Sequence, residues 1–247
     1  MLASTERRAA AVITGASGGI GRALALRFAP SVQHLTLIGR DEARLAQVAS
    51  EVASRGAEAR PLRARFESSE ELERLALELE RLPAVSVLLH AAGEFVEQPA
   101  ASLAGEAFER LLRVNLSAPY VLTRALLGPL QRGAGDVVFV NSSAVGQRRA
   151  GLSAYGASKA GLVAVADSLR QECNPLGLRV LSVFLGATAT RLQEQLHTGR
   201  DQEAYEPGLL LQPEDVASAI AFLCSERARY ITGAVLPVTG GMDLFTF

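Results

Sequence analysis

A chain of 247 residues that is 49% hydrophobic has ample material for a core and fits one large α/β domain better than two. Its formal charge of −1, with a sequence pI near 6.3 and both signs interspersed, speaks against a nucleic-acid or anionic-membrane partner. Two cysteines without metal spacing (Cys173, Cys224), three scattered histidines (His34, His90, His197) and an N-terminus with no apolar run fit for a signal or membrane helix point to a reduced, metal-free cytoplasmic protein.

Residues 9–14 form a short apolar run that enters GASGGIG and then the helical pattern of 22–29, which is the order of a buried strand, a glycine turn and a helix. Gly15, Gly19 and Gly21 follow G-x-x-x-G-x-G, a variant of the Rossmann spacing. Such a turn needs residues without Cβ where backbone N–H groups and a helix N-terminus approach a pyrophosphate, although tight packing alone would also require glycine. The next run, 34–38, ends in Gly39, Arg40 and Asp41, about 20 residues past the glycines, where NAD-binding folds place an acid on the adenosine ribose. Arginine there suits a 2′-phosphate and favours NADP over NAD. The competing reading leaves Arg40 solvated and Asp41 as a cap on the helix that runs to Arg55 and closes at Gly56.

Residues 57–62 read as a weaker strand, and Ser68 with Glu71 as a capping box that opens the next helix. The apolar strand 85–90 ends in Ala91, Ala92 and Gly93, small residues that let the backbone lie against a ligand. A helix from about 104 to 130 carries Asn115 in its interior, where asparagine is a poor helix former; it is either simply exposed or marks a freed carbonyl that holds a water. Residues 137–141 form another apolar strand, so Ser142 falls at its C-terminal end, where ligands bind in open parallel sheets. A helical stretch over 152–174 and a strand over 179–185 follow, and 186–212, with Gly199, Pro207 and Gly208, loses periodicity and reads as a lid. A helix over 213–225 begins on Pro213 with two acids behind it, and 234–238 is the last strand. Strand alternating with helix throughout predicts a Rossmann-type doubly wound α/β fold, a parallel sheet of about seven strands with helices on both faces, in one domain over 1–247.

Tyr155 and Lys159 lie four apart in the 152–174 helix and so share a face, which sets an ammonium beside a phenol. Moving a tyrosine from pKa 10 to near 7 takes roughly 4 kcal/mol, which a unit charge about 4 Å away supplies only at an effective dielectric near 20, in a partly dry cleft. A bare Tyr and Lys at this spacing would ordinarily be a surface pair. The chain, however, has 24 arginines and this single lysine. Plain positive charge is met by arginine everywhere else, and the compact, tunable cation is kept for this place.

With TGASGGIG at 14–21, HAAG at 90–93, Asn115, Ser142, YGASK at 155–159 and YITGAVLPVTGG at 230–241, the sequence resembles the short-chain dehydrogenase/reductase family over nearly its whole length. The resemblance implies hydride transfer between a nicotinamide and a carbonyl or alcohol carbon. It implies Tyr155 as general acid or base, Lys159 as the residue that lowers its pKa and holds the nicotinamide ribose, Ser142 on the substrate oxygen, and Asn115 anchoring a water that resupplies protons. Ser142 lies thirteen before Tyr155 and seven past Gly135, as the family's serine does, with Ser143 as the alternative. Cofactor contacts are implied at Gly15, Ser17, Gly18, Gly19, Ile20, Gly21, Gly39, Arg40, Ala92, Gly93, Asn115, Tyr155, Lys159, Gly186, Thr188 and Thr190.

Several positions depart from the family pattern. His90 and Ala91 replace the first two residues of N-N-A-G, and Leu185 replaces the proline before Gly186. Arg65 stands where an aspartate commonly bonds adenine, so it would stack on the base or pair with Glu67. Thr239 replaces an acid, and Gly18 lacks a second basic residue found in some NADP-preferring members. The expected protein is an NADPH-dependent oxidoreductase of a small carbonyl compound, a homodimer or homotetramer built on the helices carrying Asn115 and Lys159. An NAD-linked alcohol or sugar dehydrogenase, or a non-catalytic dinucleotide-sensing regulator, are the alternatives. Phe95, Val145, Leu152 and Leu192 are candidates for an apolar substrate pocket, and Arg148 and Arg149 for contact with an acidic one.

Overall fold

Strands that are apolar along their length must be covered on both faces, and this dictates the architecture. The computed structural model describes residues 8–147, 149–197 and 207–241. Among them, β1 (Arg8–Thr14), β2 (Val32–Gly39), β3 (Glu58–Arg63), β4 (Val87–His90), β5 (Asp136–Ser142), β6 (Arg179–Leu185) and β7 (Val235–Val238) form one sheet in the order β3-β2-β1-β4-β5-β6-β7. All neighbours pair in parallel.

The period of two along the strands sorts side chains into two cores. Ala11 and Ile13 of β1 join Leu35, Leu37, Val87 and Leu89 on the face covered by α1 (Gly19–Phe28), α2 (Glu42–Ala53) and α9 (Pro213–Leu223). Val12 between them joins Ile38, Leu88 and Phe139 beneath α3 (Ser69–Leu79), α5 (Ala118–Arg132) and α7 (Ser153–Cys173). Shorter helices α4 (Gly105–Leu112), α6 (Ala144–Gln147) and α8 (Arg191–His197) stand at the C-terminal end of the sheet or before α5. Because β1 connects to β2 on one side and β4 continues the sheet on the other, the strand order reverses between β1 and β4, where such folds open a crevice.

Three local expectations need correction. The helix expected over 104–130 is interrupted by a π turn at Arg113–Ser117, in which the Ala118 N–H bonds the Arg113 carbonyl five residues back. Asn115 sits inside that turn and is fully buried, not exposed. The capping box at Ser68 is half formed: Ser68 Oγ accepts from the Glu71 N–H (3.2 Å), but the Glu71 carboxylate is taken by Arg65. Of the aperiodic stretch 186–212, Thr188 bridges to Leu211 and 191–197 is helical. Gly199 lies outside the described residues, as does Arg148. No helix among the described residues is long and apolar enough to cross a membrane.

Candidate active site

The glycine turn works as its spacing requires. Gly15 has φ +69°, and a Cβ there would lie 2.7 Å from the Ala92 backbone. A Cβ on Gly21 would lie 2.1 Å from the Gly15 carbonyl oxygen, so the helix can begin this close to the turn only without one. Thr14 Oγ1 accepts from the Ala92 N–H (3.2 Å) and ties the turn to the end of β4. The N-terminus of α1 carries neither a side-chain cap nor an acid in its first turn, leaving its N–H groups and positive dipole end for an anion.

This turn forms the floor of a cleft of about 480 Å³. Of the residues that the sequence marks for cofactor, Gly15, Ser17, Gly18, Gly19, Ile20, Gly21, Gly39, Arg40, Ala92, Gly93 and Thr190 line it. Asn115, Tyr155, Lys159, Gly186 and Thr188 do not line it; Thr188 is buried, with its hydroxyl donating to the Gly186 carbonyl (3.0 Å). Leu185, in place of proline, ends β6 as an ordinary paired and buried strand residue. The cleft wall also holds Arg65, which the sequence sets at the adenine position, and Asp41, Arg44, Glu94, Arg191 and Leu192, which the sequence does not single out as cofactor contacts. Asp41 caps α2 through the Arg44 N–H (3.1 Å) and pairs with the Arg44 side chain. Arg65 pairs with Glu71 (2.9 Å), not with Glu67, and the backbone and side-chain hydrogen bonds from Arg65 hold the Glu71 carboxyl below its usual pKa. Arg40 is exposed at the end of β2 and has no carboxylate partner among the described residues.

Behind Gly93, which lines the cleft, lies the polar cluster of α7. A Cβ built on Gly93 would lie 3.4 Å from Asn115 Oδ1 and 3.7 Å from Lys159 Nζ, so the backbone of the cleft wall stands beside both side chains. Lys159 is buried, its ammonium donates to the Val140 carbonyl (3.1 Å), and burial lowers its pKa to about 8. Tyr155 departs from the expected lowering towards 7: burial raises its pKa above the ordinary phenol value, against a smaller lowering from its hydrogen bond with Ser142. A protonated phenol is the form a reduction requires. Ser142, at the end of β5, is the serine on Tyr155; its Oγ also accepts from the Ala144 N–H (3.2 Å). Ser143 is buried beside it, with its N–H on the Leu185 carbonyl.

The Asn115 side chain is hydrogen-bonded on both sides. Its Nδ2 donates to the Glu94 carbonyl (2.8 Å) and to Ser158 Oγ (3.0 Å), and its Oδ1 accepts from the Glu94 N–H (2.8 Å). Phe95 sets its ring edge-on to Tyr155, centroids 4.7 Å apart. His90, under the site, offers Nε2 to Thr123 Oγ1 (2.8 Å) and stacks on Phe139. Since Thr123 Oγ1 gives its own proton to the Pro119 carbonyl (2.8 Å), it accepts from Nε2–H, which leaves Nδ1 as a bare acceptor with no partner among the described residues.

An uncapped helix at a glycine turn, a cleft at the switch point and a Ser-Tyr-Lys cluster beside it define a dinucleotide-dependent oxidoreductase. The short chain dehydrogenase pattern matches residues 9–201, and the chain belongs to that family. It is 29% identical over 236 residues to a 3-oxoacyl-(acyl-carrier-protein) reductase of Rickettsia bellii, covering 94% of this chain and 95% of that one. Among solved structures it superposes on a 3-ketoacyl-(acyl-carrier-protein) reductase from Brucella melitensis complexed with NADH (TM-score 0.83, 30% identity, 96% and 99% covered). It also superposes on an actinorhodin polyketide ketoreductase with NADPH (TM-score 0.87, 27% identity, 99% and 100% covered).

Proposed function

We propose that the protein is an NADP(H)-dependent reductase of a small or medium carbonyl compound. The observation that carries this reading is the grouping of Ser142, Tyr155 and Lys159 beside Gly93, a residue of the cleft wall. The residues present fit the cofactor: the turn from Gly15 to Gly21 would take the pyrophosphate without side-chain interference, and the unpaired Arg40 guanidinium would take a 2′-phosphate. When bound, NADPH supplies the hydride. Tyr155 then donates its proton to the carbonyl oxygen, Ser142 holds that oxygen by its hydroxyl, and Lys159, turning from the Val140 carbonyl, stabilises the phenolate left behind. The segment from Gly186 to Gln212, whose Thr190, Arg191 and Leu192 already flank the cleft, acts as a lid. An assembly of two or four chains on the α4–α5 and α7 faces, where Phe108 and Tyr120 are exposed, and a cytoplasmic location complete the reading.

The relatives named as acting on oxoacyl thioesters support a β-ketoacyl thioester as the first substrate to try. The test is nicotinamide absorbance during incubation with ketones, β-ketoacyl thioesters and sugars, alongside titration of NADPH and NADH. Turnover with NADPH, and a preference for NADPH that Arg40→Ala removes, is expected; losing one charge-assisted contact costs roughly 1.5–3 kcal/mol. Equal affinity for both cofactors would contradict the NADP assignment, and binding without turnover on any carbonyl would favour a dinucleotide sensor.

A further inference from the structure

The loop leaving β4 is tied at both ends. At one end Asn115 bonds both the N–H and the carbonyl of Glu94, whose carboxylate is held by Arg110 (2.8 Å). At the other, the Gln98 N–H donates to the Gly151 carbonyl (2.8 Å) and Glu97 faces Arg149 (3.4 Å), in the segment that leads into α7. Phe95 lies between the ties, and its ring meets the Tyr155 ring at 62°. The same asparagine reaches Tyr155 from the other direction: Asn115 donates to Ser158 Oγ, which donates to the Tyr155 carbonyl (2.7 Å). One buried side chain therefore fixes the spacing between the backbone beside Phe95 and the backbone of Tyr155. Torsion about χ2 of a tyrosine is broad, so the direction of its ring is set by what packs against it.

We propose that Phe95 is a positioning residue, which through its ring edge holds the Tyr155 phenol in the proton-donating orientation and shields it from water. This rests on Tyr155 being the proton donor. The charged and titratable groups around the phenol are accounted for. Ser142 on β5 bonds its hydroxyl, and Lys159 on the same helix donates a hydrogen bond to the Val140 carbonyl. His90 on β4 stays neutral, and Glu94 and Glu97 on the loop face Arg110 and Arg149.

The test labels the tyrosines with ¹³C at Cζ, so that the Tyr155 signal, identified by its loss in Tyr155→Phe, is followed without any substrate. In Phe95→Leu, shown folded by circular dichroism, that signal should move and its titration midpoint should fall towards the ordinary phenol value. The same variant should lose about tenfold to a hundredfold in kcat with the NADPH Kd unchanged, since small displacements of a reacting group cost rates of this order. Phe95→Tyr, which keeps the ring edge, should restore both. A Tyr155 signal and midpoint in Phe95→Leu equal to the parent's would overturn the role of Phe95 alone. Full activity in Tyr155→Phe would instead remove Tyr155 as the donor, and the role of Phe95 with it.

Discussion

His90 shows how one buried side chain can set a pH limit on the whole protein. Burial first, and the Lys159 charge second, lower its pKa from 6.5 to about 3. Below about pH 6.5 the unfolded chain binds a proton that the folded chain refuses until about pH 3, so stability falls as pH drops through that window and is unaffected above it. The slope is roughly 1.4 kcal/mol per pH unit for one proton. His90→Asn should flatten it, as read from urea midpoints at pH 7, 5 and 4; parallel slopes for parent and variant would contradict the assignment. His90 could be flagged in the sequence as a departure from N-N-A-G, but its tautomer could not, because that depends on Thr123 and Pro119 some thirty residues away. The family's spacing from Tyr155 and Gly135 selects Ser142 over Ser143, and Ser142 is the serine that hydrogen-bonds Tyr155. The partner of Arg65 was not: Glu67 and Glu71 are both within reach of a long side chain, and which one wins depends on where α3 starts.

The π turn is the element on which the site's internal wiring depends. The helical pattern over 104–130 is unbroken in sequence, because one extra residue in a turn alters the period too little to be read, and only the poor helix former Asn115 hinted at it. The turn brings Asn115 inward, where its amide serves the loop of Glu94 and the hydroxyl of Ser158. Asn115→Leu would leave buried partners on both sides without their bonds, at about 1–3 kcal/mol each. It should lower stability by roughly 3 kcal/mol or more and speed hydrogen exchange at the Glu94 amide. Unchanged protection of that amide would show that the loop is held by something else. The inner strands, by contrast, were legible with nearly correct bounds, because strands buried on both faces carry a near-continuous apolar run, with their polar residues mostly at the ends.

At the scale of the molecule, the two ends of the sheet do different work. The C-terminal end holds the cleft and the Ser-Tyr-Lys cluster, while the N-terminal end is fastened by charge. Asp136, 2% exposed at the start of β5, accepts from Arg179 at the start of β6 (2.7 and 2.8 Å) and from Arg8 at the start of β1 (3.1 Å). Arg179 also donates to the Ala228 carbonyl, joining the segment before β7. Removing one partner of a buried pair leaves the other uncompensated, so Asp136→Ala should cost about 3–5 kcal/mol. Because this cluster lies at the far end of the sheet, NADPH affinity of the folded variant should stay within about twofold, distant sites being nearly additive. Denaturation and cofactor titration of the same preparation would check this, and a large loss of affinity at unchanged stability would contradict it.

The most direct measurement is steady-state NADPH oxidation by Lys159→Arg, a change that preserves formal charge at the one lysine in a chain with 24 arginines. The Lys159 ammonium is buried and donates to the Val140 carbonyl, a place where a larger planar guanidinium would have to shift. With the fold confirmed by circular dichroism, the rate should fall by roughly a hundredfold to ten-thousandfold, the contribution of general acid catalysis, and cofactor affinity should fall less. A folded Lys159→Arg protein working within a few fold of the parent would contradict the account and remove Lys159 from the chemistry.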